Sequence, residues 1–409
     1  MLPSLSGLPR NARNCILLEP LWAVFGVVVI YYAPLYMRGV GLSSTQIGLL
    51  GSITVACSFV FQALAAPITN RMGRRRTSLL WDLVSWTVPM VVWGLAHSFV
   101  AFLIAAALSA SNRIVAVSWS LLVIEDVPQP KRARVFGILN LINAFCGLLT
   151  PLVGLLIARL GVVPALRGVY LLGAVGMTVM FYWRNAVTQE TRSGEAAMQQ
   201  HRDLKPWESM RHTFQLVPAL ARGGLPGVVA FYVLTMFAEQ MGLFQILLFK
   251  ETLGFGAQAL SLVPVAGAVV TILMYALVLR RLDHVPAERT LVFTRLLGLA
   301  GAVLILFIPA GNLSALLLVV SLLGAVTFLT QTYRDTVLFS HLPAHGTADL
   351  YSAVQTLTML CSIPAAGLAG ALYSVQPRLL FVMIAVLNVG LLLLAMQVAR
   401  SQRRSATVP

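Results

Sequence analysis

The chain has 409 residues, of which 58% are hydrophobic and 11% are charged, and its formal net charge is +15. Soluble globular proteins are about 45–50% apolar and about 25% charged, so this composition excludes an ordinary soluble enzyme. It also excludes a disordered chain, because such chains are poor in apolar residues. Since apolar residues extend along the whole length, a receptor with one span is excluded too. We expect a polytopic protein of the lipid bilayer.

Twelve apolar segments are long enough to cross a membrane, for which a helix needs about 20 residues. A closed barrel would alternate apolar and polar residues, and these segments do not. The predicted helices are Leu17–Met37, Gln46–Ile68, Thr77–Ala96, Phe99–Ile124, Val135–Leu160, Ala165–Asn185, Pro226–Leu248, Ala259–Leu279, Thr290–Ala310, Leu313–Phe339, Tyr351–Tyr373 and Arg378–Val398. The predicted fold class is all-α, with twelve transmembrane helices.

The basic residues fall mostly on one side of these helices. Of the 29 lysines and arginines, 21 lie on the side of the two termini, five on the other side, and three within spans. Loops rich in basic residues stay in the cytoplasm, so we expect both termini to be cytoplasmic in a multi-pass protein of the cell membrane. The positive charge is explained by this orientation, and no nucleic-acid partner is needed.

One long polar stretch divides the helices six and six. We predict an N-terminal six-helix bundle over residues 1–185, a cytoplasmic linker loop over 186–224 and a C-terminal bundle over 225–409. The halves also resemble each other at a constant offset of about 213–215 residues, which places Arg76 on Arg289 and Cys146 on Cys361. Such pseudo-symmetric parallel repeats are typical of transporters, whose substrate site lies near the bilayer midplane.

The loop between the second and third helices carries a recognisable motif. It reads Ala66-Pro-Ile-Thr-Asn70-Arg71-Met-Gly73-Arg74-Arg75-Arg76. With its basic run, it resembles the Gly-x-x-x-Asp-Arg-x-Gly-Arg-Arg/Lys motif of the major facilitator superfamily, although Ala66 replaces the glycine and Asn70 the acid. In that family the loop helps to latch one conformation. The resemblance therefore implies a conformational latch at Asn70, Arg71, Gly73 and Arg74. We add Asp82 to it, because this residue lies one turn into helix 3, where it is expected to pair with Arg71 or Arg74 in a structural role. The alternative is a tight turn whose arginines only set the orientation.

Other exporter features of the family are incomplete. The helix-5 motif of exporters retains only Pro151 and Gly154 here, and Ile104-Ala105 stand where the family has an arginine in helix 4. Pro151 and Gly154 also allow a bend and close packing of helices without any role in transport.

Charged residues inside the spans are the strongest functional signal. Arg113, Glu239, Arg334 and Asp335 each cost about 2.5–3.5 kcal/mol at the centre of a membrane helix. The family resemblance implies that helices 1, 4, 7 and 10 line a central cavity, which these charges would face. A structural ion pair, such as Arg113 with Glu239, is the alternative interpretation.

Polar and aromatic neighbours complete the predicted site. The predicted substrate-binding residues are Tyr31, Tyr32, Asn112, Arg113, Glu239, Gln331 and Arg334. Glu239 and Asp335 are predicted to couple proton flow to substrate flow, because a carboxyl that accepts a proton in only one conformation can link the movement of protons to that of the substrate. Glu19 precedes Pro20 at the start of helix 1, where an acid is an ordinary helix-start signal.

The sequence lacks the motifs of an ATP-driven pump or a hydrolase. No Gly-Lys pair exists for a Walker loop, and no nucleophile elbow or His-Glu-x-x-His is present. We therefore expect no enzyme, cofactor or metal. The predicted function is secondary active transport of a small solute by alternating access in a monomer, with proton-coupled efflux as the first choice. The alternatives are uptake or facilitated diffusion of an anionic solute held by Arg113 and Arg334, or a membrane scaffold or sensor that has lost transport.

Overall fold

The computed structural model describes residues 5, 7–200, 215, 217–221, 225–278, 285–341 and 347–406. This described part consists of helices and connecting turns and contains no strand. Twelve of the helices are long and apolar enough to cross a membrane. The predicted all-α fold with twelve transmembrane spans is confirmed.

The twelve spans are labelled α1 to α12 in chain order. They are Arg10–Gly39, Ser44–Met72, Arg74–Leu95, Phe99–Ile124, Arg134–Leu160, Val162–Val187, Leu225–Thr252, Ala257–Leu277, Ala287–Phe307, Leu313–Leu338, Ala353–Val375 and Pro377–Arg400. The predicted bounds are within a few residues of these, except that α1 begins well before Leu17. The predicted end of the eighth helix, Leu279, lies outside the described residues.

Several spans are interrupted where the sequence disfavours a regular helix. The second segment of α5 has Pro151 in its first turn, where a missing N–H costs nothing, and residues 148–149 separate it from the first segment. In α3, the π-helical turn Leu83–Thr87 joins two α-helical segments. Such π-bulges are rare and are frequent at functional sites.

The chain divides into two compact units. Unit 1 comprises Met1–Val40 and Ile53–Arg211, and unit 2 comprises Gly41–Ser52 and His212–Pro409. The predicted linker differs from this division, because its first part belongs to unit 1 and contains a short helix, Arg192–Gln200. Residues 201–214 of the predicted linker lie outside the described residues.

In unit 1, the start of α1 is tied to the end of α6. Asn11 exchanges two hydrogen bonds with the backbone of Gln189, both at 2.9 Å, and Asn14 donates to the Val187 carbonyl at 2.8 Å. These side chains satisfy backbone groups that the helix ends leave unpaired. Because Asn11 and Asn14 are polar, the apolar pattern left them out of the first predicted helix. Their hydrogen bonds explain why α1 nevertheless begins at Arg10.

In unit 2, the beginning of α2 packs closely on α11. A Cβ atom on Gly48 would lie 2.5 Å from the Ala366 carbonyl oxygen and 2.9 Å from the Gly370 Cα. The Ser52 hydroxyl accepts a hydrogen bond from the Gly367 N–H at 2.8 Å. Small residues of this kind let two helix backbones approach each other within a membrane.

Candidate functional site

A network of charged and polar side chains lies within the spans of unit 2. Arg334 on α10 lies between two carboxylates, with its Nη1 3.8 Å from Glu239 Oε1 on α7 and its Nε 3.5 Å from Asp335 Oδ1. Its guanidinium also lies over the Tyr232 ring, 4.4 Å from the centroid. The network therefore joins α7 to α10 through one cation.

Hydrogen bonds extend this network to α11. The Tyr232 hydroxyl donates to Asp335 Oδ1 at 2.9 Å and accepts from Gln355 Nε2 at 2.8 Å. The same amide nitrogen of Gln355 donates to the Tyr351 hydroxyl at 2.7 Å. Three helices are thus joined by polar contacts within otherwise apolar spans.

A second arginine of unit 2 is buried close to this network. Arg295 on α9 is 5% exposed, donates to the Thr330 hydroxyl and lies over the Phe231 ring at 5.6 Å. It also interacts electrostatically with Glu239. The group thus contains two arginines and the two carboxylates Glu239 and Asp335, and its formal charges balance.

The carboxylates of the network are more exposed than its arginines. The side chains of Glu239 and Asp335 are each 39% exposed, whereas that of Arg334 is 13% exposed. An ionised group inside a membrane span faces the interior of the bundle or a water-filled cavity rather than lipid. The carboxylates are therefore the accessible groups of this network, and Arg334 lies behind them.

The other predicted site residues differ in their surroundings. Tyr32 is fully buried and meets Tyr31 edge to face at 4.7 Å, while Gln331 is exposed and Arg113 is partly buried. Glu239 forms its ion pair with Arg334 rather than with Arg113. Contact of these four residues with a solute stays a prediction.

Unit 1 contains a partly open cavity of about 210 Å³ that is lined by residues of α1, α3, α4 and α6. Asn112, one of the predicted substrate-binding residues, lines it. Its other polar lining includes Glu19, Asp82 and Arg184, and its aromatic lining consists of Trp22, Trp86 and Trp119. The cavity lies in the half of the spans near the start of α1 and the end of α6, which is the side predicted to be cytoplasmic.

The structure corrects the predicted partner of Asp82. Asp82 is 2% exposed and pairs with Arg184 on α6, not with Arg71 or Arg74. Arg184 is itself 5% exposed, so it is not one of the solvated loop cations that set the orientation. The sequence interpretation failed here because the two residues are 102 positions apart and each lies near the end of its helix.

The predicted latch motif contacts the loop between α4 and α5 and the chain beyond α6. Arg74 is buried and binds the Glu125 carboxylate with Nη2 at 2.9 Å and Nε at 3.2 Å. The Thr191 hydroxyl donates to the same carboxylate. The partner of Arg74 is thus an acid of another loop, not Asp82.

A second carboxylate lies at the first turn of α3. Glu190 accepts hydrogen bonds from the backbone N–H groups of Arg74 at 2.9 Å and of Arg75 at 3.1 Å. A carboxylate at a helix N-terminus satisfies unpaired donors and interacts favourably with the helix dipole. Glu190 thus places a negative charge close to the motif in which Asn70 replaces the acid.

Several site residues could not be singled out from sequence alone. In unit 2 these are Arg295, Gln355 and Thr330; in unit 1 they are Glu19, Arg184 and the three tryptophans. Glu19, Arg184 and Arg295 carried a signal, since all three are charged residues within predicted helices. Glu19 and Arg184 lie near helix ends and resembled ordinary flanking residues, and only the packing shows that all three are buried.

Solved structures of several membrane transporters share this fold. The nucleoside transporter NupG matches with a TM-score of 0.74 and 10% identity over 95% of this chain and 99% of that one. The POT family transporter PepTSo matches with a TM-score of 0.73 and 12% identity over the full length of both. The xylose transporter XylE from E. coli, in an inward-open conformation, matches with a TM-score of 0.67 and 14% identity over 92% and 94%. The fold is that of a multi-pass membrane transporter.

The sequence itself identifies the family. Residues 21–366 match the model of the Major Facilitator Superfamily, and the chain belongs to this superfamily. No curated protein sequence matches it significantly. The protein is therefore a membrane transporter with a small-molecule substrate.

Proposed function

We propose that this protein is a secondary active transporter that moves a small solute across the cell membrane by alternating access and couples the movement to protons. The observation that carries the proposal is the network of Glu239, Arg334 and Asp335 within the spans of unit 2. A scaffold without transport would have no reason to carry these charges, because each is costly in a membrane.

The two carboxylates of this network are the proposed proton carriers. Arg334 is shared between Glu239 at 3.8 Å and Asp335 at 3.5 Å, so it does not fully compensate either carboxylate. Small movements of α7 relative to α10 would change that balance. A carboxylate that loses its cation in a membrane span binds a proton more readily. Proton binding would thereby favour one conformation over the other, as coupling requires.

The charge balance also bears on the substrate. Arg334 is engaged by carboxylates on both sides, which weakens the alternative of an anionic solute held by this residue. Arg113 is partly buried in α4 and stays the candidate anion contact of that alternative. We propose export as the direction, because the tyrosines and carboxylates of the predicted site suit an amphipathic solute.

The orientation and the latch complete the proposal. The termini are placed in the cytoplasm by the excess of arginine and lysine on that side, and the protein acts as a monomer. On this side, Arg74, Glu125 and Glu190 form the contacts through which the latch would hold one conformation. Arg71 and Asn70 belong to the same loop, and Asp82 supports it through Arg184.

The proposal is tested by flux into proteoliposomes containing the purified protein. Metabolites and drugs of different charge would be supplied with and without an imposed pH gradient. Counterflow of a solute against protons is the expected result. Accumulation in the same direction as protons would favour uptake, and no flux of any solute in any condition would favour the scaffold.

A further inference from the structure

The cavity in unit 1 combines aromatic faces with an acid. The rings of Trp22 and Trp86 meet edge to face, with centroids 5.1 Å apart, and Trp119 lines the same cavity. Trp86 belongs to the π-helical turn Leu83–Thr87, which directly follows Asp82 and lies in the cavity wall. A Cβ atom on Gly26 would lie 3.0 Å from the Trp22 ring, so the glycine leaves this indole the space it occupies.

The charges that line the cavity do not balance. Glu19, 7% exposed, and Asp82, 2% exposed, are acids, whereas Arg184 is the only cation in the lining. Among the described residues, the salt bridge of Arg184 is formed with Asp82, and none is formed with Glu19. Glu19 interacts with Arg184 and forms a side-chain hydrogen bond with Asn143. It shares this arginine with Asp82, however, and has no cation of its own among the residues that the structure describes, in a part of the chain where charge is expensive.

We propose that this cavity binds a small organic cation, such as a quaternary or tertiary ammonium compound with an apolar group. The cation would compensate the Glu19 carboxylate, and its alkyl groups would lie against the tryptophan rings. Indole faces attract cations more strongly than other aromatic faces do, and more so where water is excluded. The proposal rests on the proposed function only where the cation is taken to be the transported solute, because binding itself does not require transport.

The size and position of the cavity limit what it binds. A volume of about 210 Å³ holds a compound of about one aromatic ring and one ammonium group, and a larger ligand would extend out of the cavity. The wall is formed by residues of unit 1, so the site is complete without the network of Glu239 and Arg334. An inorganic anion would meet the two acids, and a neutral solute would add no cation to Glu19, which shares Arg184 with Asp82.

The test measures the binding of benzyltrimethylammonium to the purified full-length protein in a maltoside detergent, by calorimetry and by tryptophan fluorescence. Benzenesulfonate and benzyl alcohol serve as an anionic and a neutral probe with the same ring. Glu19→Gln removes the charge and keeps the shape, and Glu195→Gln, in an exposed residue of the helix Arg192–Gln200, is its matched control. Trp86→Phe is a second variant, matched by Trp183→Phe at a tryptophan that is 53% exposed.

The expected results follow from the charges. Benzyltrimethylammonium binds the unmodified protein, and the other two probes do not. Glu19→Gln weakens binding at least about tenfold, the equivalent of ~1.4 kcal/mol. Trp86→Phe weakens it about threefold, in line with the loss of one cation–π contact. The two control variants bind as the unmodified protein does. Each variant is first shown to be monodisperse, and Trp86→Phe decides the test where Glu19→Gln fails to fold.

Three results would overturn the site. They are binding of benzyl alcohol as tight as that of the cation, unchanged affinity in Glu19→Gln, and loss of binding in the control variant Glu195→Gln as large as that in Glu19→Gln. Failure of the site is distinguishable from failure of the proposed function. If binding depends on Glu19 but no flux occurs in proteoliposomes, the cation site is supported and the proposed transport is not. If a pH gradient drives flux but the cation does not bind, transport is supported and the cation site is not.

Discussion

Glu239 and Arg334 lie on different helices of unit 2, and their charged atoms are 3.8 Å apart. At this distance the pair is an ion pair without a direct hydrogen bond. Arg334 is also 3.5 Å from Asp335, which receives a hydrogen bond from Tyr232. Asp335 thus has Arg334 and Tyr232 as partners, whereas Glu239 lies beside Arg334 without a hydrogen bond and also interacts with Arg295. Glu239 is the carboxylate that links α7 to α10 through Arg334.

This difference predicts the effect of Glu239→Gln on coupling. Glutamine retains the shape of the side chain but cannot exchange a proton, so the variant should lose the dependence of flux on a pH gradient. Exchange of a transported solute between the two sides of the membrane should continue, because it needs no net proton movement. The measurement is flux into proteoliposomes with and without a pH gradient, compared with solute counterflow at equal pH. Glu195→Gln is the control, and coupling that persists in Glu239→Gln would remove this carboxylate from the mechanism.

The buried pair of Arg74 and Glu125 predicts a loss of stability when one partner is removed. In Arg74→Met the Glu125 carboxylate retains Thr191 but loses its cation, which costs about 3 kcal/mol for a buried pair. Arg76→Met is the matched control, because Arg76 follows two positions later and is exposed. Its effect should stay within about 0.5 kcal/mol. The midpoint of thermal unfolding in detergent measures both.

A double variant separates the charge from the packing. Replacing both partners by apolar residues of similar size is often close to neutral, because no charge is left unpaired. Arg74→Met combined with Glu125→Met should therefore unfold at a higher temperature than Arg74→Met alone. A double variant that is less stable than either single variant would mean that each residue acts through other contacts.

The fold was predictable from the sequence because span length and apolar composition are local properties. All twelve helices were found within a few residues, apart from the start of α1. The individual charges of the site were also visible, since Glu239, Arg334 and Asp335 interrupt apolar segments. Their partners were not, because Glu239 meets Arg334 only through packing of α7 on α10. The same holds for Asp82 and Arg184.

The cavity of unit 1 shows a second limit of the sequence. Tryptophans in membrane helices ordinarily mark the interface with the headgroups, so Trp22, Trp86 and Trp119 carried no specific signal. They line one cavity only because α1, α3 and α4 pack together and because α3 contains the π-helical turn. No periodicity in the sequence predicts that turn.

Gly73 connects the motif to Glu190 and predicts a strong effect of a single methyl group. Its φ is +83°, and a Cβ atom would lie 2.5 Å from the Glu190 carboxylate. Its ψ is 160°, and this combination of angles is essentially restricted to glycine and costs a residue with a Cβ about 1–3 kcal/mol. The displaced carboxylate would also lose its contacts with the first turn of α3. Gly73→Ala should therefore lower the midpoint of thermal unfolding.

The control for this substitution is Gly168→Ala in α6, where a Cβ atom meets nothing within 4 Å and the backbone is helical. Alanine is favoured over glycine in a helix, so this variant should be neutral or slightly more stable. Gly73→Ala with the stability of the unmodified protein would mean that the loop adapts without strain. Glu190→Gln tests the carboxylate separately, because it removes the charge and leaves Gly73 in place.

The contact between Gly48 and Gly370 predicts how closely α2 and α11 must approach. A side chain on Gly48 would meet backbone atoms of α11, which cannot rotate away as a flexible side chain would. Overfilling of a packed contact costs about 1–3 kcal/mol, so Gly48→Ala should lower the unfolding midpoint and Gly48→Val should lower it further. Gly267→Ala and Gly267→Val in α8 are the controls, since a Cβ atom there meets nothing within 4 Å. Both series change helix propensity in the same way. A larger fall of the unfolding midpoint in the Gly48 series than in the Gly267 series therefore measures the contact itself. Equal falls of the midpoint in the two series would show that α2 and α11 separate at no cost.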